Sequence, residues 1–221
     1  MRVIVNKYKA DKAVVHKVLE DLRVLYPEAR CELNHMNPFE LLVATILSAQ
    51  TTDKKVNQVT KGLFARYKSP YDFLSLSQSE LEDIIKEIGL YRNKAKNILQ
   101  MCRQLIDKHD GEVPSTMEEL IELAGVGRKT ANVVLSNAFG IPALAVDTHV
   151  FRVSNRIGLA NSTNVEDTET QLMEGIPRED WSEAHHLLIW HGRRTCDAKK
   201  PKCGVCPLNS VCKYFNQRES Q

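Results

Sequence analysis

The sequence predicts an all-α protein, and three observations carry that expectation. Four segments open with a small polar residue followed three positions later by Glu or Asp, the signature of a capped helix start. Apolar residues recur at helical spacing along several stretches. Only one segment, residues 141–146, reads as extended; it is too short to build a sheet and reads as a connector.

Taken in order, Val14, Val15, Val18, Leu19, Leu22 and Leu25 mark the apolar face of a first helix. Asn37-Pro-Phe-Glu40 opens the next, with Pro38 at the first helical position, where its missing N–H costs nothing. Ser69-Pro70 repeats that arrangement, and Ser77-Gln-Ser-Glu80 starts a helix faced by Leu81, Ile84, Ile85 and Ile88. Ser115-Thr-Met-Glu118 and Asn164-Val-Glu-Asp167 supply two further starts, and Leu187, Leu188 and Trp190 share the face of a late helix. Gly89, Gly140, Gly158 and Gly192 fall where helices should stop, as residues able to turn left-handed.

At 221 residues, 43% hydrophobic and 26% charged, the chain is long enough for one large or two small domains and has ordinary globular composition, which excludes disordered and fibrous classes. The longest uncharged stretch, Thr130 to Val146, carries Asn, Ser, Gly and Pro and falls short of the roughly 20 apolar residues of a membrane span. The first residues, MRVIVNKYKADK, lack the apolar core of a signal peptide, so a cytoplasmic location is expected. The formal charge of +2 does not by itself announce a nucleic-acid partner. Its distribution is more telling. Arg193, Arg194, Lys199, Lys200 and Lys202 stand against Asp197 alone, whereas Glu166 to Glu183 holds seven acids and one base.

Four of the six cysteines form Cys196-x6-Cys203-x2-Cys206-x5-Cys212, while Cys31 and Cys102 stand alone in helical contexts. In a reducing compartment such density argues for metal rather than disulfides. Four thiolates hold either zinc or an iron-sulfur cluster. Zinc ribbons usually offer two close Cys-x2-Cys pairs; one such pair and three unequal gaps favour the cluster. His185, His186 and His191 could join a zinc site, but histidines on a helix bearing Leu and Trp more often pack or hydrogen-bond.

A second signal lies at Leu123-Ala-Gly-Val-Gly-Arg-Lys-Thr-Ala-Asn-Val-Val134, a helix, a two-glycine turn and another helix. Gly125 and Gly127 allow a tight turn that exposes N–H groups, and the following helix end adds partial positive charge, so a phosphate can be held without reading sequence. Arg128 and Lys129 begin the second helix at the end where its dipole disfavours cations. Phosphate binding accounts for both. A sharper reading is that the helix end and Arg128 disfavour the ammonium form of Lys129 and leave more neutral, nucleophilic amine. Asp147 follows eighteen residues later, at the end of the connector and at a helix start, in Val-Asp-Thr-His-Val.

The cysteine spacing, preceded by LIWHGRRTC, resembles the C-terminal [4Fe-4S] loop of the endonuclease III family, and GVGRKTANVV followed by AVDTH resembles that family's active-site pair. The likeness runs from about Ala13 to Lys213. It implies a helix-hairpin-helix motif at about residues 115–137 and two helical lobes: a central helical-barrel domain, residues 31–141, and a second domain of residues 1–30 plus 142–221 carrying the cluster loop. It implies Cys196, Cys203, Cys206 and Cys212 as ligands of a structural [4Fe-4S] cluster. Lys129 would be the nucleophile and Asp147 the required carboxylate, with DNA lying across the cleft that holds them.

The implied chemistry is base-excision repair: attack by Lys129 at C1′ of a flipped, oxidised pyrimidine nucleotide of thymine-glycol type, loss of the base, a Schiff base with the sugar, then β-elimination. LeuSerAlaGlnThrThrAsp, residues 47–53, resembles the family loop whose Gln50 fills the vacated space, and IleGlyLeuTyr, residues 88–91, the one whose Leu90 enters the stack beside Ile88. Asp53 would line the lesion pocket, cap a helix beginning at Lys54, or both. Gly125, Val126, Gly127, Arg128, His149, Lys199, Lys200 and Lys202 are the remaining expected DNA contacts. The partner would be double-stranded DNA bearing oxidised pyrimidines or abasic sites, met by a monomer. Two alternatives stay open: a glycosylase of the same superfamily with another lesion preference, and a non-catalytic DNA-binding protein with a metal-stabilised basic loop.

Overall fold

The computed structural model describes residues 8–219 as helices, turns and coil, with no strand among the described residues. It divides into two compact units, Cys31–Ile141 and a second formed by the described residues up to Arg30 together with those from Pro142 onward. Residues 1–7, where a targeting signal would begin, lie outside the described residues. No described helix is long and apolar enough to cross a membrane.

The chain starts with α1 (Lys12–Leu25), capped by Asp11, which buries Val15, Val18, Leu19 and Leu22. Leu25 stays 40% exposed because the helix ends there. The continuous unit follows as α2 (Pro38–Ser48), α3 (Asp53–Arg66), the single turn α4 (Pro70–Phe73), α5 (Gln78–Ile85), α6 (Tyr91–His109), α7 (Met117–Glu122) and α8 (Arg128–Phe139). α2 is buried on nearly every side and packs on α3, α6 and α8, and its buried polar side chains bond locally, Glu40 accepting the Met36 N–H and Thr45 donating to the Leu41 carbonyl. Phe39 and Phe73 meet edge to face at 5.1 Å in this core.

The chain then returns to the first unit as α9 (Thr148–Ile157), α10 (Val165–Gly175), α11 (Trp181–Arg194) and α12 (Lys213–Glu219). α9 is central, packing on α10, α11 and α12, while α1 packs on α11. Its core joins Leu19 and Leu22 to Val150, Val153, Leu187 and Leu188.

Asn37, Ser77 and Asn164 cap their helices as expected. Elsewhere the structure corrects the sequence reading. α7 is capped by Thr116 rather than Ser115, its hydroxyl accepting the Glu119 N–H, because the register lies one residue later. α3 is capped by Thr52 and begins at Asp53, so Asp53 is a first-turn residue rather than a cap. Cys31 lies in coil, not in a helix.

Gly140 and Gly158 end α8 and α9 with φ of 63° and 101°. Gly192 ends nothing: it sits inside α11, where a Cβ would lie 2.9 Å from the Cβ of His149 on α9. Gly89 does not turn left-handed either; that conformation falls to Leu90.

Candidate DNA-repair site and iron-sulfur loop

Within the 31–141 unit, α7 and α8 form the two arms of the glycine hairpin. Leu123 ends α7, the Val126 N–H bonds the Leu123 carbonyl at 3.1 Å, and Gly127 starts α8 without any side-chain cap. The N–H groups of the first turn of α8 therefore have no side-chain acceptor from the N-cap position, the arrangement an anion completes.

The two glycines serve different ends. Gly125 has φ +80° and a Cβ there would meet Asn97 at 3.0 Å, so the fold itself demands it. Gly127 has an ordinary extended backbone and nothing within 4 Å of a would-be Cβ, so the fold itself has room for a side chain there. Gly125→Ala should cost about 1–2 kcal/mol in denaturant unfolding. Gly127→Ala should leave stability within about 0.5 kcal/mol yet weaken duplex DNA binding by about 1.5 kcal/mol, read by fluorescence anisotropy. Val126 is buried and its N–H bonds the Leu123 carbonyl, so it holds the hairpin turn together.

Arg128 and Lys129 are the first two residues of α8, both exposed. The coil around Cys31 runs nearby. Burial pushes the Cys31 thiol pKa up and a backbone N–H bond at Leu33 lowers it; of the charges that act on it, Asp53 raises it and Lys129 lowers it. Asp53 and Lys129 thus border one neighbourhood, an arrangement that no spacing rule could reveal. Asn57 on α3 ties that coil down, accepting from the Asn34 N–H and donating to the Glu32 carbonyl.

Three exposed non-glycine residues adopt a left-handed backbone that costs a side chain dearly: Asp110, which ends α6, Gln50, φ 56°, between α2 and α3, and Leu90, φ 59° and 57% exposed, just before α6. Strain of this kind persists where surrounding structure enforces it and gathers at functional sites. Ile88 is buried, its N–H bonded to the Ile85 carbonyl, and so anchors the Leu90 turn from beneath.

In the other unit Asp147 is the N-cap of α9. Its Oδ1 accepts both the His149 and Val150 N–H groups at 2.8 Å, so Oδ2 has no part in the cap. His149 is partly buried, with Nδ1 3.2 Å from Arg152 Nη2.

The other end of α9 holds the cysteine loop. Arg152 donates to the carbonyls of Gly192 and Cys196, and Arg156 to those of Asp197 and Ala198, at 2.6–3.2 Å. Neither arginine was singled out from sequence, since the carbonyls they bind lie about 40 residues away. Asp197 accepts the Lys199 and Lys200 N–H groups, which folds the loop tip and holds its carboxyl below the usual range. Lys199, Lys200 and Lys202 remain exposed, without ion pairs among the described residues.

Cys196, Cys203, Cys206 and Cys212, all partly buried, line one cavity with His191 and Leu208. No three Cys, His, Asp or Glu side chains among the described residues converge closely enough to share one ion, as thiolates about 2.3 Å from a zinc would. Four cysteines lining one cavity supply the all-sulfur donor set that an iron-sulfur cluster takes. Burial raises the Cys206 and Cys212 thiols and the neighbouring cysteines raise them further, while backbone N–H groups from Leu208, Tyr214 and Phe215 favour the thiolates. Such N–H donors suit sulfurs that remain anionic in a cluster. His191 is buried, which lowers its pKa to about 4, and it packs between the Tyr26 hydroxyl and Cys206 Sγ, at 3.2 Å and 3.7 Å.

Residues 43–178 match the HhH-GPD superfamily of base excision DNA repair proteins, and residues 196–212 the iron-sulfur binding domain of endonuclease III. The chain is 52% identical to endonuclease III of Bacillus subtilis over 204 residues, covering 92% of this chain and 93% of that protein. It is 48% identical to endonuclease III of Escherichia coli, again over 204 residues, covering 92% and 97%. A solved trapped covalent intermediate of an endonuclease III with DNA superimposes with a TM-score of 0.91 at 51% identity, covering 95% of this chain and 99% of that one.

Proposed function

The chain belongs to the endonuclease III family, a DNA glycosylase and abasic-site lyase of base excision repair that carries a [4Fe-4S] cluster, and we propose that it removes oxidised pyrimidines of the thymine-glycol type from duplex DNA, as a cytoplasmic monomer. The observation that carries this reading is the pairing of an exposed lysine at the bare start of α8 with a two-glycine turn whose second glycine meets nothing in the protein.

In this reading the hairpin and α8 hold a phosphate beside the lesion, while Arg128 and the loop lysines Lys199, Lys200 and Lys202 bind neighbouring phosphates. Gln50 and Leu90 occupy the space the flipped nucleotide leaves, at an unstacking cost of a few kcal/mol. The Lys129 amine, once neutral, attacks C1′ as the base departs with a proton, and the opened sugar forms a Schiff base whose α-proton is lost in β-elimination. Oδ2 of Asp147 takes the lysine's proton or faces the cationic sugar. Asp53 faces the lesion, and His149 stands beside the carboxylate as a further DNA contact. The cluster supplies no step: bound by the four cysteines, it stiffens a loop without a core of its own.

Single-turnover base release from duplexes carrying thymine glycol, 8-oxoguanine or 3-methyladenine tests the substrate class. Thymine glycol should be released at least about a hundredfold faster than either purine, a difference of about 2.7 kcal/mol; faster purine release would contradict the proposal. Neutralising Lys199, Lys200 and Lys202 should flatten the slope of log K against log salt by about 0.9 for each phosphate no longer neutralised. An unchanged slope would reduce these lysines to solvated surface.

A further inference from the structure

We propose that Lys94 is a positioning residue that locks the Gln50 and Leu90 loops into a single wedge. The proposal rests on the reading of those loops as the elements that enter the DNA.

Lys94 lies in the first turns of α6 and is 5% exposed, an uncommon setting for a lysine. Its Nζ donates to the Leu47 carbonyl at 2.9 Å and the Ala49 carbonyl at 2.6 Å, with Thr51 Oγ1 at 3.4 Å. The carbonyls at the end of a helix have no partner within it, so the ammonium closes the C-terminus of α2, where a cation also suits the helix dipole. Gln50 is the next residue along.

The same lysine also holds the other loop. Its backbone N–H bonds the Leu90 carbonyl at 3.1 Å. Residue 94 therefore lies beside both loops: its side chain holds the chain immediately before left-handed Gln50, and its main chain belongs to the helical turn that left-handed Leu90 opens. The loops also touch directly, since a Cβ on Gly89 would lie 3.4 Å from the Gln50 carbonyl. A left-handed conformation is costly for a non-glycine residue and persists where the surroundings enforce it. Without the ammonium, Leu47 and Ala49 lose their donor and Gln50 relaxes toward an extended or right-handed backbone, which swings its side chain away from Leu90. A helix cap whose only role is stability would not need to sit between the two strained residues.

Burial lowers the pKa of Lys94, in keeping with an ammonium withdrawn from water, and no carboxylate compensates it among its bonded partners. Neutral, nearly isosteric Met would keep the packing and remove only the donor.

The test compares wild type with Lys94→Met and Lys94→Gln on three substrates: thymine glycol in a paired duplex, the same lesion unpaired in a bulge, and an abasic site in a single strand. An already unstacked nucleotide needs the least help to flip. Excision from the paired duplex should fall at least about tenfold, recover in part on the bulge, and leave single-strand abasic cleavage within about threefold. Amide exchange at residues 49–52 and 89–91 should quicken together. Equal losses on all three substrates, or none on the paired duplex, would overturn the proposal. If neither variant folds, Lys94→Arg decides it, since a guanidinium cannot reproduce the ammonium's approach to both carbonyls; paired-duplex excision must then fall more than abasic cleavage. Gln50→Ala and Leu90→Ala run in parallel. If these spare paired-duplex excision, the wedge reading itself fails; if they lower it and the Lys94 variants do not, only the positioning role fails.

Discussion

Lys129→Gln should lose strand cleavage at abasic sites by at least about a thousandfold under single-turnover conditions, because the proposed mechanism draws the Schiff-base amine from Lys129. The substitution is mild for the fold. Residue 129 is exposed at the second position of α8, which the bare Gly127 starts, and Gln is nearly as good a helix former as Lys. The unfolding midpoint should therefore stay put. Affinity for an abasic duplex should drop by no more than about tenfold, the worth of one or two charged hydrogen bonds. Loss of chemistry with binding and stability retained is the signature of a nucleophile; a loss of binding as large as the loss of rate would mark a phosphate-binding residue instead.

Asp147→Asn separates two duties of one side chain. The carboxylate accepts the His149 and Val150 N–H groups through one oxygen, and Asn caps a helix about as well as Asp. Stability should change by less than about 0.5 kcal/mol, whereas base release should fall by about 10²–10⁴, the range for a lost general base or a lost charge facing a cationic transition state. Asp147→Ala should show the same rate loss plus about 1 kcal/mol of destabilisation from the missing cap. If Asn retains full activity, Asp147 is a cap and nothing more.

The all-α class, the iron-sulfur loop and the family were legible because each rests on short-range pattern: capping residues, helical periodicity, cysteine spacing and the GVGRKTANVV and VDTH segments. What escaped the sequence depends on approach between distant segments. Gly192 looked like a helix terminator, yet it is glycine because α9 passes too close for a Cβ. Thr116 displaced Ser115 by one residue, a choice two adjacent hydroxyls leave to packing. Arg152 and Arg156 carry no sequence signal, because the loop carbonyls they bind lie about 40 residues further along the chain. Lys94 was invisible for the same reason. Its partners lie about 45 residues back, and nothing in a YRNKAK segment says which lysine turns inward.

α9 joins the two chemical features of its unit. Asp147 sits at its start, and Arg152 and Arg156, one and two turns further on, grip the loop that the cysteines organise. The two arginines thus hold the cysteine loop on α9, and the proposed catalytic step rests on Lys129.

That claim is tested most directly by borohydride reduction during turnover of a thymine-glycol duplex, followed by proteolysis and mass spectrometry of the cross-linked peptide. A reduced adduct on the peptide containing Lys129, absent from Lys129→Gln, is the predicted result. No adduct with the wild type, an adduct on another residue, or one equally abundant with Lys129→Gln would contradict it.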